Sequence, residues 1–461
     1  MRVATNTIYN IGSQGLQRLM TQQAHLQNQL STGRRILSPS DDPIASARAL
    51  SVTQAQALNT QFSTNSDSAD SSLSLTEATL KQVTTLIQNV QQLAINAGNP
   101  TLTKNEKAML ESELQGRYQE LLALANTTDG NGLYLFSGFR GDTKPFTETS
   151  FGNVAYNGDD GQRSVQISAA RAIPVSEAGS QLFQKVTTGN GTFQAAAAAS
   201  NTGTGLVSTG EVLDPNKWAD AANMRDFRID FNSIPDPANP SGTPLTHYDI
   251  IDNRTNLPDG SANPNYNRSM IDGYDYGGGA RPATPGANSY PRVFKSGGDI
   301  EFRQLPGETT PLVAGWDFGV KVSITGAPKT GDSFTLEASV NTDMFSVLAD
   351  FSSALKSYNT DAGGTGQAVF QNRLNTIIKH LSNSLDTVLS TQAGIGARML
   401  ETDSVRDTNE DINLQHSQTL SKLQDLDWPK TISDFAQNQT LLDAARSTFS
   451  KVQSLSLFQY I

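Results

Sequence analysis

Apolar and small residues recur every seven positions along one stretch of this chain. Phe62, Ala69, Thr76, Val83, Val90 and Ala97 form one row, and Leu73, Leu80, Ile87 and Ala94 form a second. Two such rows share a face only on a helix wound against another helix. The pattern predicts one helix from Asp41 to Ala97, ended by Gly98-Asn99-Pro100. At ~1.5 Å per residue it would span about 85 Å. A helix of that length needs partners from elsewhere in the chain or from other copies.

The two ends offer them. Residues 1–38 hold no proline and no acidic residue, and Ile8, Ile11, Leu19, Leu26 and Leu30 fall on a helical stripe. After Pro429, Phe435, Leu442 and Phe449 occupy one heptad position, and Ala445 and Val452 the next. These residues are expected to form an assembly seam between the first and last helices. Gly33 is expected to cap the first helix at its C-terminus. Ser40 is expected to cap the next one, with Asp41 and Asp42 in its first turn, where the helix dipole favours carboxylates, and Pro43 tolerated there.

Thirteen of the 19 prolines lie between Pro215 and Pro328, and none lies between Lys329 and Trp428. Helix-forming sequence is therefore outside and loop-rich sequence in the middle. A third helix should start at Thr103 with Glu106 completing a capping box, carry Leu110, Leu114, Tyr118, Leu121 and Leu122 inward, and end near Asp129-Gly130. Asn131-Gly132 then reads as a hairpin turn before a short strand, Leu133 to Phe136. From Gly141 the period shifts toward two, as at Val165, Ile167, Val320, Val322, Ile324, Phe334 and Leu336. Ala195 to Ala199 reads as weakly helical. Helical stripes return near Asp343 and continue through Leu374, Ile377, Ile378, Leu381, Leu385 and Val388, with Gly394-Ile395-Gly396 expected as an interruption. Val405, Ile412, Leu420, Leu423 and Leu426 mark a further helix, broken by Pro429.

These elements define an α+β multidomain chain: a long antiparallel coiled-coil bundle from the N- and C-terminal segments, with inserted β-rich outer domains. The expected division is 1–38 with 428–461 as terminal coiled coil, 39–140 with 342–427 as helical rod, 141–185 with 316–341 as β-rich outer domain, and 186–315 as an inserted loop-rich β lobe.

Composition narrows the chemistry. Lys and Arg number 34 against 45 Asp and Glu, a net charge of −11. That disfavours nucleic acid or an anionic membrane as partner. Charged residues make up 17%, below the ~25% common in globular domains; weakly charged polar faces suit close packing of many copies. The absence of cysteine excludes disulfides, thiolate metal sites and cysteine nucleophiles. No apolar run nears the ~18 residues of a membrane helix, and no apolar core of a cleavable signal follows Arg2. The four histidines, His25, His247, His380 and His416, form no metal-binding pair in sequence. Asp41-Asp42 reads as capping rather than acid–base chemistry. Asp129-Gly130-Asn131-Gly132 and Asp159-Asp160-Gly161 lack the ligand alternation of a calcium loop. No catalytic, cofactor or metal site is expected.

The segment QLSTGRRILSPSDDPIASARAL, Gln29 to Leu50, resembles the N-terminal signature of flagellin-type proteins. Within that superfamily, PSDDP after TGRRI is similar to the hook-associated protein 3 branch. So are NGLYLFSGF (Asn131 to Phe139), ITGAPKTGDSFTLEAS (Ile324 to Ser339), GIGARM, and the ending FAQNQTLLDAARSTFSKVQSLSLFQYI. The likeness covers roughly residues 1–185 and 316–461 and leaves out 186–315. It implies paired terminal helices, a helical rod and an outer β domain. It also implies type III export without a cleaved signal, a chaperone on the C-terminal helix, and a homo-oligomer ring at the hook-filament junction of the extracellular flagellum. Hook-associated protein 1 would lie below that ring and flagellin above it.

The terminal pair should be marginal alone. Each buried Leu or Phe contributes roughly 1.5–3 kcal/mol, against about 1–2 kcal/mol of backbone entropy per ordered residue. Both ends are expected to be disordered or frayed in the monomer and to fold on assembly. Two alternatives stand beside the junction reading. One is a self-polymerising flagellin. The other is a secreted adhesin or enzyme whose lobe uses Trp218, Tyr274, Tyr276 or Tyr290 against a ligand, although packing within loops explains such aromatics better.

Overall fold

A computed structural model describes residues 5–220, 225–236, 244–257, 259–278, 290–358 and 363–454; the side chains of Thr5, Asn6, Ile8, Gly363 and residues 452–454 lie outside it. The chain has long helices at both ends and a β-rich middle. The described residues hold α1 (Thr5–Thr32), α2 (Pro43–Ala97), α3 (Lys104–Ala125), α4 (Pro215–Ala219), α5 (Met344–Lys356), α6 (Gly363–Gln424) and α7 (Trp428–Ser454). Contacts divide the chain into two units, and α2 and α6 contribute to both.

One unit comprises residues 1–70, 165–173 and 400–461. Here α1 packs on α7, and the N-terminal part of α2 packs on the C-terminal part of α6. Asn59 Nδ2 donates to the Asn409 carbonyl at 2.5 Å, and Gln56 Nε2 to Ser417 Oγ at 2.9 Å. The hairpin of β3 (Ser164–Ser168) and β4 (Arg171–Pro174) lies on these two helices. Asn65 and Asn409 donate to the carbonyls of Gln166 and Ile167 at 2.8 and 2.9 Å, and Arg171 donates from Nε and Nη2 to the two carboxylate oxygens of Glu401.

The other unit comprises residues 71–164 and 174–399. The heptad rows of α2 fill its helical core: Leu73, Thr76, Leu80, Val83, Ile87, Val90, Ala94 and Ala97 are all buried. The capping box of α3 is complete, with Glu106 N–H on Thr103 Oγ1 and Thr103 N–H on Glu106 Oε2. Lys107 is fully buried. Its ammonium donates to the Ala97 carbonyl at 2.6 Å and lies over the Tyr358 and Phe370 rings.

Beyond the helices, β1 (Phe146–Ser150) pairs with β2 (Asn153–Tyr156), and β5 (Val186–Thr187) with β15 (Asn341–Thr342). Two larger sheets share one core. The first orders β11 (Arg292–Val293), β10 (Leu245–Asp252), β9 (Asp226–Ile234), β14 (Ser333–Ala338) and β6 (Phe193–Ala197). The second orders β12 (Asp299–Arg303), β13 (Asp317–Thr325) and β7 (Leu206–Val207), with β8 (Glu211–Val212) also on β13. Phe227 joins them, its ring 4.7 Å from Phe318 and 5.2 Å from Phe302.

Four expectations are corrected. The boundary drawn at 315/316 cuts through this core, because β13 and β14 complete the sheets of the 186–315 segment. Ala195–Ala197 of the alanine tract lie in β6, paired along β14, rather than in helix. Leu133–Phe136 is not a strand. Asp129 folds the backbone there instead, accepting N–H groups of Asn131 and Leu133 at 2.9 Å each, and α3 has already ended at Ala125. Finally, α6 passes through Gly394 and Gly396 without a break.

A Cβ built on either of these glycines meets no described atom within 4 Å. Gly in a helix interior is about 1 kcal/mol worse than Ala. We expect the Gly394→Ala/Gly396→Ala double variant to gain about 1–2 kcal/mol, seen as a higher urea midpoint. A lower midpoint would contradict the open space around both positions.

Candidate assembly interface

The terminal helices run antiparallel, and their register is marked by contacts along the pair. Near one end Gly12 lies beside Phe449, whose ring also packs on Tyr9 with centroids 5.4 Å apart. Midway, Asn438 faces Gln23. At the connector, Gly33 lies beneath Trp428. Of the expected seam, Leu26 and Leu442 are buried, and Leu19, Leu30, Phe435, Ala445 and Phe449 are partly buried. The side chains of Ile8 and Val452 lie outside the described residues.

Ile11 is a correction. It is 64% exposed, because the stripe phases through its neighbour Gly12, seven residues before Leu19. Glycine carries no apolar signal, so the true phase was hidden. Thr431 and Asn438, both buried, were also missed. Their spacing was the available signal: seven separates Thr431 from Asn438 and Asn438 from Ala445. Polar side chains masked it.

The connector is stitched to the far end of the chain. Gly33 takes φ +68° and its N–H bonds the Gln29 carbonyl at 2.8 Å, ending α1. Its carbonyl accepts from Leu426 N–H at 3.0 Å, and Arg35 N–H donates to the Gln424 carbonyl at 2.7 Å. The Arg35 guanidinium adds a bond to the Leu423 carbonyl at 2.8 Å, and Gln29 Nε2 donates to the Arg35 carbonyl at 2.6 Å.

The cap of α2 differs from expectation. Asp42, not Ser40, accepts the Ala45 N–H at 3.0 Å, and Pro43 is the first helical residue. Ser40 is turned to Ser38, Oγ to Oγ at 2.7 Å. Asp41 lies outside the helix and accepts the Leu37 and Ser38 N–H groups at 2.9 and 2.8 Å. The backbone donors of Ser38 and then Leu37 hold its carboxyl below the usual range. Asp42 and Arg35 approach to 3.5 Å, both partly solvated, which adds little stability.

Among the described residues no group of three or more His, Asp or Glu side chains is placed to hold a metal ion, and no helix is long and apolar enough to cross a membrane. The lobe aromatics make contacts within the lobe. Trp218 is buried, donates Nε1–H to the Thr192 carbonyl at 3.1 Å and packs on Phe193. Tyr276 packs edge-on against both Tyr274 and Tyr290 and donates its hydroxyl to buried Asp249 at 2.8 Å. The terminal pair presents apolar surface. Ile11, Met20, Ile432 and Leu441 are each more than half exposed.

The family profile for the bacterial flagellin N-terminal helical region matches residues 3–140. Flagellar hook-associated protein 3 of Escherichia coli (strain K12) is 26% identical over 459 residues, covering 100% of this chain and 99% of that protein. Its counterpart in Salmonella typhimurium is 38% identical over 187 residues, 41% of this chain and 58% of the relative. The crystal structure of Xanthomonas campestris FlgL (space group C2) is 26% identical and overlays with a TM-score of 0.60, covering 80% of this chain and 99% of that one. The flagellar junction protein FlgL from Legionella pneumophila, at 23% identity, shares the fold, with a TM-score of 0.63 over 82% of this chain and 100% of that one. Over its full length the chain is therefore similar to flagellar hook-associated protein 3.

Proposed function

We propose that this chain is a structural subunit joining the flagellar hook to the filament. Its lower neighbour is hook-associated protein 1 and its upper neighbour is flagellin. It assembles as a homo-oligomer ring through the terminal helices, after type III export with a chaperone on the C-terminal helix, and performs no catalysis. The observation that carries this reading is the α1–α7 pair, which buries one apolar seam while Ile11, Met20, Ile432 and Leu441 remain in solvent. Exposed apolar side chains on both flanks of a finished seam suit contacts between copies. The name of the relative matched over its full length supports the junction over the filament. Likeness to flagellins, such as Phase 1 flagellin of Salmonella naestved, extends over 135 residues at 27% identity and covers 27% of that protein.

The test is addition of purified protein to isolated hooks carrying hook-associated protein 1. We expect short caps at hook ends, visible by electron microscopy, onto which flagellin then grows. Long filaments of this protein alone would instead identify a filament subunit.

A further inference from the structure

The connector ladder already fixes how α1 meets α7 within one chain, so the buried amide midway along the pair is not needed for that. Asn438 is 3% exposed in an otherwise largely apolar row. Its Nδ2 donates to Gln23 Oε1 at 2.9 Å and to the Leu19 carbonyl at 3.1 Å. An amide in a helical seam lowers stability relative to an aliphatic residue and restricts which partners fit. Opposite an apolar residue, Asn438 would keep the Leu19 carbonyl but lose Gln23 Oε1, and a buried amide left only partly paired is disfavoured.

A second key lies further along. A Cβ at position 12 would come within 2.9 Å of the Phe449 ring, so a side chain there would displace Phe449 from its present place against α1. We infer that the Gln23–Asn438 amide pair, backed by the Gly12 notch, is a matching device. It selects an α1 of this chain's own sequence, from the same or a second copy, and rejects first helices of related subunits that carry an apolar residue at the facing position. This inference stands on the helix pair alone and is independent of the junction reading.

The test is a cycle in the full chain: Gln23→Leu, Asn438→Leu, and both together. Protease protection of α7 reports the pairing. Each single variant should lose at least tenfold in protection, and the double variant should return to wild type or exceed it. A swap, Gln23→Asn with Asn438→Gln, keeps one amide on each helix and should retain most protection. Selectivity is read with labelled peptides of residues 5–32, with and without Gln23→Leu, offered to the wild-type and Asn438→Leu chains. The wild-type chain should prefer the wild-type peptide and the Asn438→Leu chain the altered one, with the preference ratio shifting at least tenfold between chains. Single variants without effect, a double variant no better than its parents, or an unchanged peptide ratio would each overturn the inference.

Discussion

Leu442→Asp is expected to abolish incorporation into any assembly while leaving the unit of residues 71–164 and 174–399 folded. Leu442 is 6% exposed, in the middle of the α7 seam. The change removes roughly 1.5–3 kcal/mol of apolar burial. It also places a carboxylate where it must either be desolvated or pull the helices apart. A two-helix seam has little reserve against both terms, so the pair should separate. The expected signs are rapid proteolysis of α1 and α7, loss of their share of helical circular dichroism, and an unchanged thermal transition for the second unit, which contains none of the seam. Normal incorporation of this variant would refute the seam.

Phe345→Ala should damage the other unit by about 3–5 kcal/mol, the usual loss for truncating a buried phenylalanine. Phe345 is fully buried, and its ring packs on Phe146 at 5.5 Å and on Tyr118 and Phe183 at 6.1 Å each. Those rings come from α3, from β1 and from the segment just before β5, so one side chain ties the first residues of α5 to three separated stretches of chain. Denaturant unfolding of the full protein would show the loss in the main transition. A change below about 1 kcal/mol would mean that the cluster closes over the gap, contrary to the rigid packing expected of such a core.

How far the sequence discloses this molecule follows from the range of the forces involved. The heptads of α2 are legible because a seven-residue repeat is a local property, and its positions are the buried ones in the region of Leu73 to Ala97. The seam was legible in outline, since Leu26 and Leu442 announce themselves. Its phase was not, because Gly12 marks a position by lacking a side chain, and Thr431 and Asn438 are polar. The run Ala195–Ala199 favours helix by propensity, yet Ala195–Ala197 lie beside β14 and join β6. Pairing across that distance in sequence overrides a preference of a few tenths of a kcal/mol per residue. For the same reason the 186–315 segment looked separable: the strands that complete its sheets lie after residue 315. At Gly394 and Gly396 two weak helix breakers were outweighed by the helix around them, in which Ile395 is fully buried.

The partner side chains Gln23 and Asn438 are 415 positions apart in the polypeptide. At synthesis rates of ~5–20 residues per second, about 20–80 s pass between their appearance. The apolar row on α1 therefore waits, uncovered, until the residues of α7 that shield it have been made.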